Sequence, residues 1–192
     1  MKNIKKYGLL LLACFCFVIS GFAQEEEEDD GEGNEILEKL VFGGNIGGGY
    51  ANGWNVTLSP TVGYRVSPTT IAGVGVSYIY SDFTNRWDGL RWTQNVTGGR
   101  IFAQQLLFQN LYARGEYEYL TFTATIRDET GRTISENELQ APGLLIGGGY
   151  TSQFGSSGLG FTFEVLYNVI YQADRSPYPS PFILRGGLMY GF

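Results

Sequence analysis

The chain has 192 residues with a formal net charge of −6, no histidine, and only two cysteines, Cys14 and Cys16. Lacking histidine, it has neither the usual base for a Ser or Cys nucleophile nor the commonest metal ligand. With both thiols so near the start, disulfides and thiolate metal sites are excluded from the remainder. Aromatic residues make up 15% and Gly 28 positions, yet no stretch after Ile19 is long and apolar enough for a membrane helix, so any membrane crossing must use strands.

In chain order, Lys2, Lys5 and Lys6 precede an apolar run from Tyr7 to Ile19, and Gly21-Phe22-Ala23 fits cleavage before Gln24. The run, roughly 13 residues, falls short of the ~20 a spanning helix needs. Residues 1–23 are expected to be a removed export signal. The rival, a lipoprotein cysteine at Cys14, would leave the apolar "FCFVISGFA" at the mature N-terminus.

Nine acidic residues then fall between Glu25 and Glu38. Such a run repels itself and builds no core, so residues 24–39 read as a disordered acidic tether, solubilising or binding a basic partner or divalent ions. Beyond it the acids and bases balance, with Lys39 and nine arginines against ten carboxylates. That leaves no basic patch for a nucleic acid.

From Leu40 the sequence breaks into eight alternating runs bounded by turn signals, predicting strands near 40–50, 55–65, 70–81, 98–108, 111–126, 141–152, 159–172 and 182–192. Connections after the second, fourth and sixth are short, "VSPT", "QN" and "FGSSG". Those after the third, fifth and seventh read as long, "DFTNRWDGLRWTQNVT", "RDETGRTISENELQ" and "QADRSPYPSP", while the first, near "ANGW", is short. This alternation is what an outer-membrane barrel shows, with tight periplasmic turns and longer outer loops. The predicted class is an all-β, eight-stranded, antiparallel up-and-down transmembrane β-barrel, both termini periplasmic.

The faces carry the polarity argument. In the fifth run Arg114, Glu116 and Glu118 share one parity, with Tyr117 and Tyr119 on the other; Glu164 opposes Phe161, Phe163, Val165 and Tyr167, Arg185 opposes Leu184 and Leu188, and Arg65 opposes Val62 and Tyr64. Eight strands leave an interior that side chains just fill. Arg65, Arg114, Glu116, Glu118, Glu164 and Arg185 are therefore expected to pair as a charge network plugging the lumen, since an unpaired buried ion is costly. Alternation alone also permits the inverse, a soluble periplasmic barrel with an apolar cavity. The fourth run resists: with a two-residue "QN" turn, Arg100 would face outward, and one of Gln104 and Gln105 faces lipid in either register.

Over residues 40–192 the chain resembles the small eight-stranded outer-membrane barrels of the OmpA/OmpX type. In that family the last strand ends in Phe with aromatic or apolar residues at alternate positions, which the barrel-assembly machinery reads. Leu188, Tyr190 and Phe192 match that signature, and the resemblance implies residence in the outer membrane of a Gram-negative envelope, in contact with its lipid.

No catalytic residue, cofactor or metal site is expected. Glu116 and Glu118, about 7 Å apart on one strand face, are more simply neighbours in the charge network than an acid–base pair. "GGNIGGG" and "LIGGGY" lack the helix and Lys of a phosphate loop. The stretch from Phe83 to Trp92 carries Arg86, Trp87, Arg91 and Trp92, residue types enriched at binding hot spots, or else an interfacial aromatic belt. The leading expectation is a non-enzymatic outer-membrane barrel acting structurally or as a subunit of an outer-membrane protein complex. A surface adhesin using the Trp87–Trp92 loop, and a soluble barrel holding an apolar ligand, are the alternatives.

Overall fold

The computed structural model describes residues 36–50, 53–85, 89–128, 130–155 and 158–191. The expected signal, residues 24–35 of the tether, Arg86, Trp87 and Phe192 lie outside the described residues. Residues 36–38 form one helical turn, with the Lys39 amide on the Ile36 carbonyl.

Eight strands follow: β1 (Leu40–Tyr50), β2 (Gly53–Ser67), β3 (Thr70–Thr84), β4 (Arg91–Phe108), β5 (Leu111–Arg127), β6 (Thr133–Gln153), β7 (Leu159–Asn168) and β8 (Phe182–Tyr190). Each pairs antiparallel with its neighbours in sequence, and β8 returns to β1, closing the barrel. Closure removes the sheet edges that an open all-β arrangement would leave unpaired.

The strand count holds, but three connections differ from the expected lengths. β4 begins at Arg91 rather than 98, because Phe83↔Trp92 and Thr84↔Arg91 extend the β3–β4 ladder nearly to the turn, where Gly89 takes a positive φ of 67°. β6 begins at Thr133 rather than 141. The Asp128 carboxylate accepts the Thr130 hydroxyl and the Thr130 and Arg132 amides, tightening that hairpin into a short turn. This same hydrogen bonding, the Thr130 hydroxyl first, holds the exposed Asp128 carboxyl below its ordinary pKa.

β7 ends early, at Asn168 rather than 172. The Asn168 Oδ1 accepts the Leu144 and Ile170 amides at 3.2 Å each, and its own amide donates to the Pro181 carbonyl. An Asx side chain that captures neighbouring backbone amides competes with ladder extension in this way. Residues 169–181 are thereby released as a connection that folds back over the barrel interior.

The interior is layered. Near the end with the short turns, Val41, Ile71 and Phe102 are buried together with Met189 against them. Toward the opposite end Val96, Leu120, Phe122 and Ala141 form one apolar cluster and Leu145, Leu166 and Ile183 another. Tyr178 of the 169–181 connection packs against both. The outer surface is the reverse of a soluble protein's: Val62, Val74, Ile101, Tyr117, Phe163, Leu184 and many others are exposed side by side. An exposed apolar band of this extent marks an interaction surface.

Candidate functional site

The inward parity of β4, β5, β7 and β8 places a charged layer between the apolar ones. Its centre is Glu116, whose side chain is 0% exposed. Glu116 Oε1 accepts Arg185 Nη1 at 2.7 Å and lies 3.6 Å from Arg100 Nη1, while Oε2 accepts Arg114 Nη2 at 2.7 Å. Arg185 also reaches Glu118 Oε2 with Nη2 at 3.2 Å, and Arg114 Nη1 meets Glu164 Oε1 at 3.1 Å. Three guanidiniums thus face three carboxylates, which leaves the layer neutral in formal charge.

Neutral neighbours extend it. Tyr112 donates to Glu164 Oε1 at 3.0 Å, Tyr178 donates to Glu118 Oε2 at 3.1 Å, and the Arg114 guanidinium lies 3.9 Å above the Phe102 ring centroid. Arg100 Nη2 donates to the Ser59 carbonyl and to Asn45 Oδ1. The Ser59 contact is possible because Pro60, with no amide to give, interrupts the β2–β3 ladder at that point. Among the described residues, Arg100 Nε, Gln104 Nε2 and Glu164 Oε2 are buried without a hydrogen-bond partner. The layer is therefore not saturated.

Of the six residues expected to meet in the lumen, Arg114, Glu116, Glu118, Glu164 and Arg185 do so. Arg65 does not: its Nη2 donates to the Gly191 carbonyl at 2.8 Å, holding the chain's last described residue at the short-turn end. Both Glu116 and Glu118 are engaged by Arg185, at 2.7 and 3.2 Å.

Arg100 is the residue the alternation misplaced. The β4–β5 register shifts between Leu106 and Phe108, so Leu107 is an extra residue beside the turn, and every position before it changes face. Arg100 and Gln104 point inward, 3% exposed each. No propensity signal marks such a bulge. Two apolar residues in a row, Leu106 and Leu107, with Phe108 after them, are its only trace.

The candidate loop residues Arg91 and Trp92 stand on β4, not in a loop. Trp92 stacks on Phe83 across the ladder, with centroids 6.3 Å apart and planes within 1°. Arg91 donates to Asp82 with both Nε and Nη2. Beside them a cavity of about 670 Å³ opens among Tyr50, Trp54, Asn55, Phe83, Gln94 and Tyr171. Leu188 and Tyr190 face outward on β8, 48% and 56% exposed.

No family model and no curated protein matches the chain. Among solved structures it is similar to Ail, the attachment invasion locus protein of Yersinia pestis, crystallised with the heparin analogue sucrose octasulfate. The TM-score is 0.46 at 8% identity, over 78% of this chain and 90% of that one. It is similar also to the N-terminal β-barrel domain of Pseudomonas aeruginosa OprF, with a TM-score of 0.43 at 12% identity, over 79% of this chain and 96% of that domain.

Proposed function

We propose that this protein is a non-enzymatic integral barrel of the bacterial outer membrane, with a lumen plugged by its charged layer, serving as a structural element or as a subunit of an envelope complex. The observation that carries this reading is the inverted polarity: Arg100, Arg114, Glu116, Glu118 and Glu164 are buried inside, while Phe161, Phe163, Val165, Tyr167 and Leu184 are exposed outside. Burying charge in order to display aromatics to water would be costly twice over. In a bilayer lipid takes the outer face, the strand ladders satisfy most of the backbone, and the charges are kept off the lipid and paired with one another inside.

A soluble barrel holding an apolar ligand would need the opposite lining. The acidic segment 24–39 then acts as a periplasmic tether, residues 1–23 as the export signal, and Leu188, Tyr190 and Phe192 as the strand read by the barrel-assembly machinery. The test is a comparison of unheated and boiled detergent samples together with membrane fractionation. A heat-dependent mobility shift and recovery in the outer membrane are expected. Recovery as a soluble periplasmic protein with no shift overturns the reading.

A second reading, a surface binding protein, draws on the stacked Phe83 and Trp92 and the adjoining cavity at the rim. Replacing Trp92 with Ala abolishes adhesion to whole cells or glycans under that reading. Under the structural reading it changes none of these.

A further inference from the structure

The seam that closes the barrel is only half zipped. β1 and β8 pair at four positions, from Phe42↔Tyr190 to Asn45↔Gly187, although β1 continues to Tyr50 and β8 begins at Phe182. Above Asn45 both edges carry on unpaired with each other for five residues. The last link is the Asn45 side-chain amide, 3.5 Å from the Gly186 carbonyl.

Packing around the glycines agrees. Below the fork, a Cβ on Gly43 would sit 3.3 Å from the Leu188 carbonyl, and one on Gly187 would collide with the Gly44 carbonyl. Above it, a Cβ on Gly47, on the same face as Asn45, meets only Thr57, at 3.7 Å, and nothing from β8.

A cavity of about 240 Å³ lies at the base of the fork, with Phe182, Leu184 and Pro179 on its apolar side and Asn45, Thr57, Ser59 and Arg185 on its polar side. At ~30 Å³ per water this is room for about eight waters. It would hold a headgroup of a few atoms but no whole two-chain lipid. Tyr178 and Pro179 border both this cavity and the 670 Å³ one at the rim.

Nine residues of tilted strand are about what a bilayer's hydrocarbon layer requires, so the whole of β8 lies at membrane depth under the reading proposed above. Unpaired backbone is tolerated there only where it lines a polar or water-filled space. The fork therefore opens a hydrated, hydrogen-bonding recess directly onto lipid.

We infer that the split β1–β8 seam is a lateral binding site for a single-chain amphiphile drawn from the bilayer, its tail along Phe182 and Leu184 and its small polar headgroup against Asn45, Thr57, Ser59 and the unpaired strand edges. The inference rests on the outer-membrane reading, and its test separates the two. The full-length mature protein is reconstituted in vesicles with either a diazirine-bearing long-chain fatty acid or a diazirine-bearing monoacylglycerol. It is then photolysed, and the modified peptides are mapped. A two-chain diazirine phospholipid serves as the control for general lipid contact.

Labelling by one or both single-chain probes is expected to concentrate on residues 45–50 and 178–186, and the probe that labels identifies the headgroup. In the variant Gly47→Leu, whose side chain would grow from beside Thr57 of the cavity lining, this labelling should fall about tenfold, equivalent to ~1.4 kcal/mol of lost binding. The two-chain probe should label the outward face of every strand in both proteins. The heat-dependent gel shift is read on the same samples. Should the shift persist while the single-chain probes label all strands evenly, or label the seam equally in the variant, the site is overturned and the membrane reading stands. Absence of the shift in the parent protein overturns both.

Discussion

Replacing Glu116 with Gln removes one charge and almost no volume from the centre of the interior layer. Glu116 is the only carboxylate there that Arg100, Arg114 and Arg185 all approach, at 3.6, 2.7 and 2.7 Å, with its own side chain fully buried. The variant leaves three guanidiniums facing two carboxylates. Removing one partner of a buried pair typically costs about 3–5 kcal/mol, most of it the penalty of the charge left behind. Removing Arg100 as well, in Glu116→Gln with Arg100→Leu, restores neutrality, so the double variant should recover part of that loss rather than add to it. The assay is reversible urea unfolding in vesicles of fixed composition, followed by tryptophan fluorescence and by gel mobility, with the m-value checked for constancy. A single-variant loss below about 1 kcal/mol, as an exposed pair would give, would refute the claim that the layer is desolvated. Strict additivity of the two changes would refute the coupling.

Other outcomes follow from local geometry. A Cβ on Gly73 would press into the Phe102 ring and the Gly63 backbone, whereas one on Gly115 meets nothing within 4 Å. Gly73→Ala should therefore destabilise by about 1–3 kcal/mol and Gly115→Ala should be near neutral, measured in the same unfolding assay. Tyr178→Phe forfeits the hydrogen bond to Glu118 and should cost about 1 kcal/mol. Tyr178→Ala, which removes the ring between the rim cavity and the charged layer, should raise single-channel conductance in planar bilayers over the parent. The Arg91–Asp82 pair is different in kind, since Arg91 is 55% exposed. Arg91→Ala should change stability by less than about 1 kcal/mol, an effect fading at high salt.

The strand count, the short turns and the inward parity of β5, β7 and β8 were legible because each rests on alternation, which the sequence writes out residue by residue. Arg114, Glu116, Glu118, Glu164 and Arg185 could be placed on one face for that reason alone. What escaped depends on contacts between strands. Leu107 bulges out of β4 and turns Arg100 inward. Asn168 stops β7 by hydrogen-bonding across to Leu144, a choice made by a neighbour rather than by local propensity. Arg91 and Trp92 read as loop because Arg and Trp between polar residues show no alternation, yet Thr84 and Phe83 pair with them. Tyr178, the aromatic that closes over Glu118, sat among prolines in a stretch that read only as a long connection to the last strand.

The placement of Arg185 also bears on the order of assembly. Arg185 is contributed by the last strand, while its partners Glu116 and Glu118 stand on β5, near the middle of the chain. Until β8 docks, Arg100 and Arg114 are left to balance three carboxylates, and the unfinished interior carries one negative charge too many. Every earlier strand can be in place and the layer still be out of balance. Docking of the final strand thus does more than close the wall, since it delivers the counter-ion that neutralises the buried interior. A chain truncated or stalled before β8 carries an electrostatic defect at its centre.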